Sequence, residues 1–189
     1  MRRIIQIMHI SLDGFVAGIN GELDLFESAG EHLNFLNGLL PTSDSILLGR
    51  TTYEMFHGYW PEIANSRTAS VDEINFSKWY NSVTKFVLST QLSQEQDNKT
   101  ILLNNDSITT IKNLKNQIGK DIFLFGSPKV GQLLKQENLI DEYWIFVNPV
   151  VFGAGVPMFD TSTPLTRLTL LETVTIPNGE VALHYSVRK

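Results

Sequence analysis

Four apolar runs in this chain end in glycine, hydroxyl or basic side chains: Ser11-Leu12-Asp13-Gly14, Gly49-Arg50-Thr51-Thr52, Ser89-Thr90 and Gly126-Ser127-Pro128. Groups of this kind hold anions. Gly126 lets backbone approach a ligand closely, Ser127 suits the cap of a following helix, and Pro128 suits its first position, where no N–H is required. Unpaired amides at such a helix start can cradle a diphosphate, although the same Ser-Pro pattern also serves simply to begin a helix. Arg50 follows Gly49 where a second helix begins, and its planar fork of donors suits a phosphate or a surface ion pair. A dinucleotide with a 2′-phosphate needs one anion site for the diphosphate and a cationic one for the ribose phosphate; these two segments would supply them.

Two carboxylates, Asp13 and Glu31, stand near these segments, and each has an ordinary structural reading. Alternation sets Ile5, Ile7, His9, Ser11 and Asp13 on one face of the first strand, giving an apolar element a polar tip, but Asp13-Gly14 is also an ordinary turn signal. Glu31 opens an amphipathic helix, where a carboxylate also favours the helix N-terminus for electrostatic reasons alone. Trp60 is an indole that packs as readily as it binds. His9 has no carboxylate or second histidine beside it in sequence and is read as a hydrogen-bonded core histidine. His32, His57 and His184 lack metal-ligand spacing, no metal is expected, and the absence of cysteine removes disulfides, zinc–thiolate sites and thiol nucleophiles.

Two familiar nucleotide motifs fail. Gly126 and Gly131 have the spacing of a P-loop opening, but Gln132 and Leu133 stand where Lys and Ser or Thr are required. Gly153-Ala154-Gly155 lacks the third glycine of the dinucleotide fingerprint, and Pro157 prevents a helix from following directly.

The elements that must position these residues follow from hydrophobic patterning. Strands are predicted near Ile4–Ser11, Ser45–Gly49, Lys85–Ser89, Ile101–Asn104, Ile122–Gly126, Tyr143–Val147, Leu168–Thr175 and Val181–Val187. Helices fit Glu31–Leu40, Thr51–His57, Val71–Asn81, Ile108–Ile118 and Lys129–Glu137. Strands alternating with helices, then two runs joined by Pro177-Asn178-Gly179, predict a mostly parallel central sheet ending in an antiparallel hairpin. In such sheets ligands bind outside the carboxyl ends of the strands, where the chemistry-bearing segments fall.

The whole chain is compatible with one α/β domain over 1–189. Its 189 residues are 42% apolar and 19% charged, a globular composition, and the polar stretch Ser89–Thr100 is a surface loop too short to separate domains. The net charge of −5, without a basic stripe, argues against nucleic acid. No apolar run reaches membrane-span length or makes a signal-peptide core, so a cytoplasmic protein without a membrane partner is expected.

Together, Ser11–Gly18, Leu47–Glu54, Ile122–Ser127 and Asn148–Gly155 resemble the dihydrofolate reductase-like proteins related to the reductase domain of bacterial riboflavin biosynthesis, the 5-amino-6-(5-phosphoribosylamino)uracil reductase. The likeness spans almost the entire chain. It implies a three-layer α/β/α fold, NADPH as cofactor, a small-molecule substrate and a homodimer. Carried over, Ala17 and Gly18 would flank the nicotinamide ribose. Arg50, Thr51 and Ser89 would hold the adenosine phosphate, Gly49, Thr52 and Thr90 would also touch the cofactor, and Gly126 with Ser127 would lie on the diphosphate. Ser11, Asp13, Trp60, Pro149 and Phe152 would border the substrate. The expected activity is hydride transfer to a pteridine- or pyrimidine-like heterocycle, with Asp13 or Glu31 as proton source. A module that binds NADPH or a flavin without turnover is the competing expectation.

Overall fold

The computed structural model describes all residues except 27–29, 93–96, 105, 161–162 and 189, so the middle of the predicted Ser89–Thr100 loop lies outside the described residues. The strands are β1 (Ile4–Ile10), β2 (Phe15–Ala17), β3 (Ser43–Gly49), β4 (Thr84–Leu88), β5 (Thr100–Leu103), β6 (Asp121–Phe125), β7 (Glu142–Val147), β8 (Val156–Pro157), β9 (Leu168–Thr175) and β10 (Val181–Val187). Eight of them form one sheet in the order β5-β4-β3-β6-β1-β7-β10-β9. From β5 to β7 every pairing is parallel; β10 then pairs antiparallel with β7 and β9.

Helices cover both faces, which is why the parallel strands are apolar on both sides. The helices α1 (Glu31–Leu39), α2 (Arg50–Ile63) and α3 (Val71–Ser82) pack over Ile5, Ile7, Ile46, Leu48, Phe123 and Phe146. On the opposite face α4 (Ser107–Asn116) and α5 (Pro128–Gln136) pack over Ile4, Met8, Leu47, Leu124 and Ile145. The period of two within each strand has sorted neighbouring residues into two cores. The expected three-layer architecture is the one observed.

Three local features differ from the sequence expectation. The chain after β1 folds into a second, two-stranded sheet of β2 and β8, too short to leave a periodic signal. Helix α2 continues through Gly58 and Pro61, beyond the predicted end at His57. Its last turn is supported from α3: Ser77 Oγ donates to the Trp60 carbonyl and, at 3.0 Å, Asn81 Nδ2 donates to the Pro61 carbonyl, so these end-of-helix acceptors are satisfied by tertiary contacts. In the hairpin turn only Gly179 takes a positive φ, 92°, while Asn178 accepts from the Glu180 amide through its side-chain oxygen at 3.1 Å.

Candidate functional site

Because β1, β3, β4, β6 and β7 run parallel, their carboxyl ends share one edge. At the β3 and β6 ends the chain passes from strand to helix within one or two residues. The Gly49 amide donates to Ser127 Oγ at 2.8 Å, and Thr52 Oγ1 lies 3.3 Å from the same oxygen, so the starts of α2 and α5 are tied side by side. A Cβ on Gly49 would sit 2.2 Å from Ser127 Oγ, so any other residue there would displace that hydroxyl. Gly126 and Ser127 are both left-handed, with φ of 53° and 51°. For Ser127 that conformation costs about 1 kcal/mol, and it frees the hydroxyl for Gly49. The expected Ser127 cap is thereby corrected: its side chain bridges two strands and makes no capping bond to α5.

Arg50 is the first residue of α2 and pairs with Glu54 one turn later, Nη1 to Oε2 at 2.8 Å, with both side chains about two-fifths exposed. It stands one residue from the Gly49–Ser127 bond, on the same edge. Thr51 is exposed and Thr52 half-buried. Ser89 Oγ accepts from the amides of Gln91 and Leu92 at 3.1 and 3.0 Å, a side-chain turn directly after β4, and Thr90 is exposed beside it.

After β1 the geometry is that of a clasp. Ser11 is fully buried; its Oγ donates to Asp13 Oδ1 at 2.6 Å and accepts from the Phe15 amide at 2.9 Å. Asp13 accepts further from the amides of Phe152 at 3.1 Å and Gly153 at 2.7 Å. The Ser11 hydroxyl, together with those amides, holds the Asp13 carboxyl below its usual range. Asp13 thus ties the loop after β1 to the segment after β7, and a carboxylate held ionised this way is a poor proton source. Ala17 and Gly18 are buried, and Gly155 is glycine because a Cβ there would strike the Ala17 carbonyl at 2.3 Å.

Toward α1 the same edge is aromatic. His9 stacks on Phe146 at 4.7 Å and meets His32 edge-on at 4.5 Å; Phe26 lies 6.5 Å from His9 and 4.9 Å from Phe152. Burial, reinforced by His32, pushes the His9 imidazole down to about 3. Beneath His9 lies Glu180, 1% exposed. Pro149 is exposed and packs near the hairpin turn, where a Cβ on Gly179 would be 3.4 Å from its Cγ.

The strand order and the linked starts of α2 and α5 are now joined by a family match. The chain belongs to the RibD C-terminal domain family, whose model covers residues 2–182. It is 32% identical over 186 residues to the uncharacterized protein YyaP of Bacillus subtilis (strain 168), covering 97% of this chain and 94% of YyaP. The pyrimidine reductase-like protein of Corynebacterium diphtheriae superimposes with a TM-score of 0.70 at 16% identity, over 100% of this chain and 92% of the other. Dihydrofolate reductase from Enterococcus faecalis, solved as a complex with NADP(H) and RAB-propyl, gives 0.65 at 14% identity, over 99% and 97%. At those identities the two structures establish the shared fold.

Within this family frame the predicted residues separate. Gly49, Arg50, Thr52, Gly126 and Ser127 are brought together, with Ser89 after the neighbouring strand. Ser11, Asp13 and Phe152 also meet, although Ser11 is sealed inside the clasp. Trp60 is elsewhere: it packs on Phe76 at 4.4 Å between α2 and α3. Glu31 is exposed on the first turn of α1, close enough to act electrostatically on His32 and Glu180. Sequence reasoning missed Glu180 and misjudged His9, which is 26% exposed at its side chain and lies outside the sealed core. The missed signal was register: alternation from Ala182 back to Glu180 turns that acid toward the helix face that β1 also gives His9. A groove lined by Lys135, Tyr143, Phe159 and Leu168 lies at the amino end of β7 and holds none of the predicted site residues. Among the described residues no cluster of three His, Asp or Glu side chains could hold a metal, and no helix is long and apolar enough to cross a membrane.

Proposed function

We propose that the protein is an NADPH-dependent reductase that transfers a hydride to a small heterocyclic substrate of pteridine or pyrimidine type. The observation that carries this reading is the Gly49–Ser127 bond, which sets two helix starts and Arg50 on one rim. Helix starts offer unpaired amides to a diphosphate, and Arg50 beside them offers a guanidinium to a ribose phosphate. The chain's residues therefore fit the cofactor by donor chemistry and by a glycine whose Cβ would collide with Ser127. The pyrimidine reductase-like neighbour and the neighbour solved with NADP(H) support the same reading.

When bound, the nicotinamide supplies the hydride. The protein's task is to orient the cofactor, exclude water and provide the proton. The clasp of Ser11 and Asp13 to Phe152 and Gly153 would fix the wall between cofactor and substrate. Glu54 competes with a phosphate for Arg50, so the ion pair must open on binding. Calorimetric titration tests this: Arg50→Ala should weaken NADPH by about tenfold, roughly 1.4 kcal/mol, and leave NADH nearly unchanged. Equal loss for both cofactors would remove Arg50 from the 2′-phosphate site. Absence of NADPH binding to the wild-type protein would remove the whole reading.

A further inference from the structure

Glu180 closes the turn before β10, and alternation points it to the face on which Ala182 packs beneath α1. Among the described residues neither of its buried carboxyl oxygens has a hydrogen-bond partner. A carboxylate in that position loses its water without compensation, so it must carry a proton or meet a donor. Burial, with Glu31 adding to it and Asn178 opposing, holds the Glu180 carboxyl above its usual range.

His9 has the complementary need. Its Nδ1 lies 3.5 Å from Asn148 Nδ2, but that amide also faces the carbonyl oxygens of Ile10 at 3.2 Å and Phe146 at 3.1 Å, which take up its two hydrogens. Nδ1 is thus an acceptor short of a donor. Among the described residues the acid nearest to it is Glu180, with Oε1 at 3.9 Å. The ring is held by Phe146 and His32, and catalytic hydrogen bonds are commonly long before a ligand arrives. The imidazole reaches the surface of the edge while the acid behind it does not.

We propose that Glu180 and His9 form an acid–imidazole relay that delivers a proton to a ring nitrogen of a substrate reduced at a C=N bond. This rests on the reductase reading above. Hydride addition at carbon leaves the nitrogen in need of one proton. The His9 Nε2–H bond breaks as an N–H bond forms on the substrate, and the Glu180 O–H bond breaks as Nδ1 gains hydrogen. The imidazole ends neutral in its other tautomer, and its new Nδ1–H supplies the donor that the Glu180 carboxylate lacks. Water at the exposed ring edge afterwards protonates Nε2, and the Nδ1 proton passes back to Glu180, which restores both groups. The groups that face the pair among the described residues are His32 and Glu31 from α1, Asn148 directly after β7 and Asn178 from the turn. His9 touches the substrate in this scheme, and Glu180 acts through it as a positioning residue and proton reserve.

The relay is tested first without turnover, by nitrogen-15 shifts of the His9 ring followed upward in pH from the ordinary Glu value of about 4.3. In the wild-type protein Nδ1 should show a step as Glu180 titrates, and Glu180→Gln should abolish it; identical curves in both proteins would overturn the relay. The second arm follows NADPH oxidation with 7,8-dihydropterin as the probe. His9→Phe keeps the aromatic stack and should lower kcat about 100-fold with NADPH affinity unchanged, and Glu180→Gln should flatten the pH profile of kcat. Full kcat in His9→Phe would overturn delivery by His9. A wild-type protein that binds NADPH but does not reduce the probe would overturn the C=N assignment. One that does not bind NADPH would overturn the reductase reading and the delivery step with it, while the nitrogen-shift step would still report on the pair itself.

Discussion

At the β3–β6 end of the carboxyl edge the polar groups already have protein partners: the Gly49 amide meets Ser127, Arg50 meets Glu54, and Ser89 closes its own turn. At the β1–β7–β10 end Glu180 has none among the described residues, and His9 has only long contacts. The first region is preformed, so binding there exchanges one set of partners for another at little cost in ordering. The second keeps a buried acid beside a partly exposed imidazole in mutual need, and an unpaired polar group of that cost points to a function that retains it. One edge of a single sheet thus carries a finished scaffold beside an unfinished polar site.

The largest test of this contrast is Gly49→Ala. Its Cβ would drive Ser127 Oγ away, break the link between the two helix starts and cost about 2 kcal/mol, a Tm loss of roughly 4–8 °C, with NADPH affinity falling in parallel. An undisturbed Tm would mean that the scaffold is not preformed. A smaller effect is expected at the unfinished end, where the folded Glu180 carboxyl lies above its usual range. The neutral acid is favourable below the ordinary Glu value of about 4.3, and that contribution is lost as pH rises through the raised folded value. Glu180→Gln does not titrate there, so its Tm relative to wild type should climb from acid to neutral pH; a constant difference would show that Glu180 is not held neutral. The smallest effect belongs to Asp13→Asn. The clasp carboxylate contributes above the ordinary Asp value of about 3.9 and loses that contribution as pH falls through its lowered folded value. Faster hydrogen exchange at the Phe152 and Gly153 amides, with Tm nearly unchanged, is the expected signature, and unchanged protection would remove the clasp.

Much of this arrangement was legible from residue types. The runs that became β1, β3, β6 and β7 are apolar on both faces, and Pro177-Asn178-Gly179 made the hairpin that it predicts. The segments after β3 and β6 were recognised because glycine, hydroxyl and guanidinium groups cluster there within a few residues. The roles inside those segments were less visible. Ser127 was expected to cap its own helix and instead accepts a hydrogen bond from the amide of Gly49, a residue 78 positions away, because its left-handed backbone turns the hydroxyl across to β3. Asp13 was expected to move protons and is held as a carboxylate by amides that sequence distance conceals.

The order of apolar and polar residues, by itself, determined the layers, the parallel majority of the sheet and the edge on which anion-binding groups collect, since these depend on periodicities of two and 3.6 residues that any window of the chain displays. Only the tertiary structure decided that His9, Asn148 and Glu180 meet. His9 lies on β1, Asn148 directly follows β7 and Glu180 directly precedes β10; β1 lies beside β7, and β7 beside β10, through pairings that span more than a hundred residues in the first case. Local sequence can tell each strand which face to bury, but which neighbour it acquires is settled by the packing of the whole sheet.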